Sequence, residues 1–246
     1  MNKHVKELLY ISVWSLPVIL IFLSSAVTEI DTEIPYEIFD RKIMLISNSL
    51  ALVLLALPYR AIRKNTNYNM NFKKVSLSSI VFVFILTFLF VLVDSPIVIW
   101  NKSVVFPEFL SSFETWAKLK ESQLEELTIY LVSFDNFNEY LIGIIAIAII
   151  PGFFEEFLFR GIIQKNFYLI SQNHHLAIWL SAFIFSAIHM QFYGFFPRLL
   201  MGVLFGYLFY WSGSITYAMI AHAFNNFLPL LCGMLLNKVI LVKNMH

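Results

Sequence analysis

From residue 8 onward the chain is built of long apolar runs separated by short polar breaks, without the period-two alternation of half-buried strands. Crossing a bilayer takes roughly 20 mainly apolar residues in a helix, because only helices and closed barrels satisfy the backbone there. The pattern predicts spans near residues 8 to 27, 43 to 59, 76 to 100, 139 to 163, 175 to 192, 197 to 212 and 214 to 236. An eighth pass has two candidates: residues 102 to 133, and a break of the last run at Pro229, since proline interrupts helices. The expected fold class is therefore all-α, a polytopic membrane helix bundle of seven or eight transmembrane helices.

Residues 102 to 133 differ from the other runs. Apolar positions at helical spacing alternate with Lys118, Lys120, Glu121, Glu125 and Glu126, the pattern of an amphipathic helix lying in the interface. Such a helix is either a plain connector or a gate over whatever the later helices enclose.

Composition agrees with the pattern. The 246 residues are 59% hydrophobic and 13% charged, outside the range of soluble domains. A net charge of +1 and the lack of a basic run interleaved with aromatics exclude nucleic acid as a partner. The single cysteine, Cys232, rules out a disulfide framework and a thiolate metal site, and is expected to be a small buried residue. Lys3 and Lys6 precede the first run and Ser24-Ser25-Ala26 resembles a cleavage site; the length of the run favours a retained anchor over a signal peptide. Arg60, Arg63, Lys64, Lys73 and Lys74 crowd one loop, which the positive-inside rule places in the cytoplasm with the amino terminus. The acidic stretch from Glu29 to Asp40 then faces outward. The chain divides into residues 1 to 138, the first helices and the amphipathic connector, and residues 139 to 246, where the candidate chemistry lies.

That chemistry begins with PGFFEEFLFR, residues 151 to 160. An ionised side chain at the centre of a membrane helix costs ~3 kcal/mol even on insertion scales, so Glu155, Glu156 and Arg160 need an explanation. Glu156 and Arg160 are four apart with the acid first, the better orientation for a helical pair. Glu155 points about 100° away, free to face a polar cavity. Later spans supply His189, one turn after Phe185, and His222, one turn before Asn226 and on the same face. Counted from the shared membrane side at ~1.5 Å per residue, Glu155, His222 and His189 lie roughly 12, 15 and 21 Å deep, within about three helical turns. One small aqueous pocket near mid-membrane fits all of them.

These residues resemble the CAAX protease and bacteriocin-processing (CPBP, or Abi) family of intramembrane endopeptidases. Its motifs EExxxR, FxxxH and HxxxN occur in order as Glu155 to Arg160, Phe185 to His189 and His222 to Asn226, flanked by Pro151 and Gly161, over residues 140 to 228. The resemblance implies that Glu155 activates water, that His189 helps hold it, and that His222 and Asn226 stabilise the oxyanion, with Glu156 and Arg160 in support. It is compatible with a water activated by glutamate alone and with a divalent metal such as zinc on Glu155, His189 and His222, an ordinary ligand set. The implied substrate is a membrane-associated peptide or protein tail, such as a prenylated protein, a bacteriocin leader or a pheromone. The implied location is the cell membrane, and the short chain looks like one of a bacterial plasma membrane. A non-proteolytic immunity or regulatory protein and a proton-coupled transporter are the competing readings.

Among the remaining polar groups, Asn225, Gln191 and Tyr193 are candidates for the cavity lining. His4, His174, His175 and His246 fall at termini or a loop, where solvent accounts for them. Gly202 and Gly206 form GxxxG, a spacing that allows close helix approach and also serves homodimers.

Overall fold

The computed structural model describes Lys6 and residues 40–62 and 72–243. The expected first span, its cleavage site, the acidic stretch before Asp40, Arg63, Lys64, His4 and His246 lie outside the described residues. Within them the chain is helical and no strand occurs. Helix α1 is Arg41–Ile62, α2 Leu77–Lys102, α3 Ser111–Val132, α4 Phe137–Ser171, α5 His174–Ala187, α6 Phe195–Ser212 and α7 Ile215–Lys243.

Four stretches are long and apolar enough to cross a membrane: Leu77–Lys102, Phe137–Ser171, Phe192–Ser212 and Ile215–Met234. This is a membrane protein by length and composition, and of the seven or eight spans expected from the sequence these four stand among the described residues. Large apolar side chains such as Ile85, Val93, Trp100 and Trp179 stand exposed on the outer surface, as lipid-facing positions do.

Four expectations are corrected. Pro229 does not divide the last run, because α7 continues through it as one helix. The span expected at 175 to 192 is instead α5, which stops at Ala187 after 14 residues. At about 1.5 Å per residue it reaches only ~21 Å, short of the hydrocarbon thickness. The chain reverses there through Met190, whose φ is 54°, and the short turn Phe192–Gly194 before entering α6. Cys232 is exposed rather than buried. His174 and His175 open α5 instead of lying in a loop: His174 stacks on Tyr168 at 3.7 Å, and His175 Nδ1 is 2.6 Å from the Tyr207 hydroxyl.

Polar anchors hold α2 at both ends. Near its start, Lys73 N–H donates to Ser214 Oγ at 3.2 Å, and near its end Asn101 donates to the Phe192 carbonyl at 3.1 Å and accepts from Phe196 N–H at 3.0 Å. Amphipathic α3 lies against the same turn through Phe113 and Trp116, both in ring contact with Phe192.

Small residues set the helix separations, as expected where lipid supplies no hydrophobic drive between helices. A Cβ on Gly152 of α4 would lie 2.7 Å from the Ala223 nitrogen and 2.9 Å from its Cα on α7. Gly202 and Gly206 face Ala182 and Ile178 of α5 in the same chain, so the GxxxG pair is used internally. Replacing Gly152 with alanine forces two backbones apart, and overpacking of this kind costs about 1–3 kcal/mol. The Gly152→Ala protein is expected to melt at a lower temperature than the parent in detergent, whereas alanine at Gly233, which has open space around it, should leave the melting temperature unchanged.

Candidate active site

Helix α4 is not a uniform α-helix. It carries two widened turns with i to i+5 hydrogen bonds, Ile144–Ile149 and Phe159–Gln164, on either side of the acidic pair. Pro151 lacks the N–H that a regular helix would point at the Ile147 carbonyl. That carbonyl instead accepts from Asn226 Nδ2 of α7 at 3.2 Å. The vacancy made by a proline in one helix thus becomes the anchor for an amide in another. Asn226 Oδ1 accepts from Asn225 at 3.3 Å, so both asparagines join this crossing.

One turn further along α4, Glu156 and Arg160 form the pair expected from their spacing, Nη1 to Oε1 at 2.8 Å, and both are fully buried. The pair has a third member. His222 Nδ1 lies 2.8 Å from the same Glu156 oxygen. A carboxylate accepts, so the imidazole donates from Nδ1, and its Nε2 is directed elsewhere. Glu156 is therefore more than a counter-ion for Arg160; it orients a candidate catalytic ring. Arg160 Nη2 also donates to the Gly202 carbonyl of α6 at 2.6 Å, and its guanidinium lies over the rings of Phe185 and Phe205 at 5.0 and 5.4 Å. Glu156 Oε2 and Arg160 Nε are buried without a partner. An ion pair left partly unsatisfied is a costly way to hold helices together, and here it fixes geometry among α4, α6 and α7.

The second ring nitrogen of His222 faces Glu155. Nε2 stands 3.8 Å from Glu155 Oε2, whose side chain keeps 16% exposure while Glu156 has none. Phe205 stacks on the His222 ring at 4.9 Å, and Phe185 meets it edge-on at 5.8 Å. His189 sits just past the end of α5. Its Nδ1 donates to the Phe185 carbonyl at 2.7 Å, capping the helix one turn back and again leaving Nε2 as the acceptor. The Phe185 ring is 5.1 Å from His189. In FxxxH the phenylalanine thus contributes a carbonyl to one imidazole and a ring to both.

The residues predicted from sequence are brought together as follows. Glu155, Glu156, Arg160 and His222 form one contact chain, His189 adjoins it across Phe185, and Asn226 is held at the Pro151 crossing one turn from His222. Gln191 accepts a hydrogen bond from Arg198 Nη2. Arg198 was not anticipated, although an arginine inside the apolar run FFPRLLMG was a visible signal. Its charge acts on both Glu155 and His189. The donors do not suit zinc: among the described residues no three His, Cys, Asp or Glu side chains converge as a metal-binding group. Glu155, His189 and His222 do not form a closed ligand set, and no step below is routed through a metal.

Comparison with known families places this geometry. The model described as type II CAAX prenyl endopeptidase Rce1-like matches residues 137–228. Over this segment the chain is similar to the CAAX protease family. The match runs from the first residue of α4 to just beyond Asn226 and contains all three motifs, whereas α1 to α3 lie outside it. No curated protein and no solved structure gives a match. In this chain the shared carboxylate ties the motifs together.

Removing that carboxylate separates its two duties. Breaking a buried ion pair by deleting one partner typically costs about 3–5 kcal/mol, so Glu156→Gln is expected to lower the melting temperature sharply. Adding Arg160→Met removes the stranded charge and should recover much of the stability. Activity should stay low in that double variant, because His222 still lacks its carboxylate. Recovery of both together would contradict the orienting role.

Proposed function

We propose that this chain is an intramembrane endopeptidase in which Glu155 activates water against a peptide bond of a membrane-associated peptide or protein tail. The observation that carries this reading is the unequal treatment of two adjacent carboxylates: Glu156 is sealed between Arg160 and His222, while Glu155 stays partly open beside His222 Nε2. The similarity of residues 137–228 to the type II CAAX prenyl endopeptidase family supports proteolysis as the reaction class.

The chemistry needs a base near water, donors for the developing oxyanion and a proton for the leaving amine. In the proposed cycle water gives one hydrogen bond to Glu155 and the other to the bare Nε2 of His189. Glu155 takes the proton as the water oxygen bonds to the carbonyl carbon and the carbonyl electron pair moves onto oxygen. The second N–H of Asn226 is the donor assigned to that oxyanion, joined by His222 Nε2 once that bare nitrogen shares the proton Glu155 has taken from water. Collapse breaks the C–N bond, and the amine leaves with the proton held by Glu155, which His222 can share across 3.8 Å. The bacterial plasma membrane is the proposed setting.

Comparative peptidomics of membranes from cells carrying the parent chain or Glu155→Gln tests this reading. Loss of specific peptide products, by about 100-fold or more as for a removed general base, is expected in the variant. Identical peptide profiles, with any cellular phenotype retained, would refute proteolysis and favour the regulatory reading. Substrate flux into liposomes that depends on Glu155 would favour the transporter.

A further inference from the structure

The mechanism above leaves one buried charge unused. Arg198 lies in the first turn of α6, with its guanidinium against Gly194. Nη2 donates to the neutral Gln191 amide oxygen, and Nη1 is buried with no partner. No carboxylate lies within ion-pair distance of it among the described residues, although the charges of Glu155 and Glu121 both reach it. Arg160 makes the opposite case, with a carboxylate in contact. Arginine kept out of water without such a partner holds a strong, directional donor in reserve for an anion.

Its location narrows which anion. The turn that carries Gln191 and leads into Arg198 is pinned by Asn101 from α2 and roofed by Phe113 and Trp116 of α3. Arg198 is thus held beside a turn with an aromatic cover, suited to apolar side chains, and within electrostatic reach of the Glu155 carboxylate. Acidic side chains are scarce in a membrane-embedded substrate because of their insertion cost. The end of a chain, however, carries a carboxylate whatever its sequence.

Resting on the proteolytic reading, we infer that Arg198 is a specificity-determining residue: its free Nη1 edge binds the substrate's C-terminal carboxylate and so fixes which bond lies over Glu155. Gln191 holds the guanidinium in place. The site then selects for a free chain end near the cleavage point and disfavours internal loops.

The test uses the full-length chain in liposomes and a pool of N-acylated apolar dodecapeptides, made once with a free carboxylate and once as the carboxamide, with cleavage read by mass spectrometry. The parent should cleave the acid pool with a kcat/KM at least about tenfold above the amide pool, the size of one charged hydrogen bond. Arg198→Gln should remove that preference, raising KM on the acid pool by about tenfold more than on the amide pool, with Arg198→Lys restoring part of it. If Arg198→Gln fails to fold, Gln191→Ala, which frees the guanidinium, is expected to give the same acid-selective loss. Equal losses on both pools, or a parent indifferent to the chain end, would overturn the anchor while leaving proteolysis standing. A parent that cleaves neither pool would sink both proposals.

Discussion

One oxygen atom organises this site. Glu156 Oε1 receives a guanidinium from its own helix and an imidazole from α7, each at 2.8 Å, in a place that hydrocarbon would otherwise fill. Because Arg160 neutralises the carboxylate and also reaches the α6 backbone, three helices are tied at one depth. The tie dictates the tautomer of His222 and turns Nε2 toward Glu155. Adjacent glutamates on a helix thus take different duties from the 100° between them: one is buried as structure, the other left open for chemistry.

That arrangement depends on how closely α4 and α7 approach. Gly152 allows backbone contact with Ala223, and the carbonyl orphaned by Pro151 is taken up by Asn226. Glycine and proline are ordinarily liabilities within a helix. In a membrane neighbouring helices can satisfy the groups they free, and here the repair is itself the docking contact. Short α5 completes the site by ending at Ala187, where His189 caps it.

Much of this was legible in the sequence. Composition and run length gave the helical membrane class, i,i+4 spacing gave the Glu156–Arg160 pair, and counting residues put Glu155, His189 and His222 at similar depth. What escaped has physical reasons. The widened turns of α4 arise from competition between intrahelical bonds and donors on other helices, which no local pattern records. The bond from His222 to Glu156 is long-range, so the carboxylate read as a simple pair. The early stop of α5 was hidden because its apolar run continues past the helix end, and Pro229 misled in the other direction because α7 tolerates it. Arg198 was passed over as one charge in an apolar stretch, and only the tertiary structure reveals that its Nη1 has no partner.

The central claim is that Glu156 fixes His222 with its proton on Nδ1 and a bare Nε2 aimed at Glu155. Solid-state NMR of the chain labelled with ¹⁵N-histidine in lipid, with His222 assigned by substitution, measures this directly. The account predicts a protonated Nδ1 and an unprotonated Nε2 at neutral pH, with the Nδ1 resonance moving when Glu156 becomes glutamine. A neutral ring protonated on Nε2, or a His222 signal indifferent to that substitution, would contradict it.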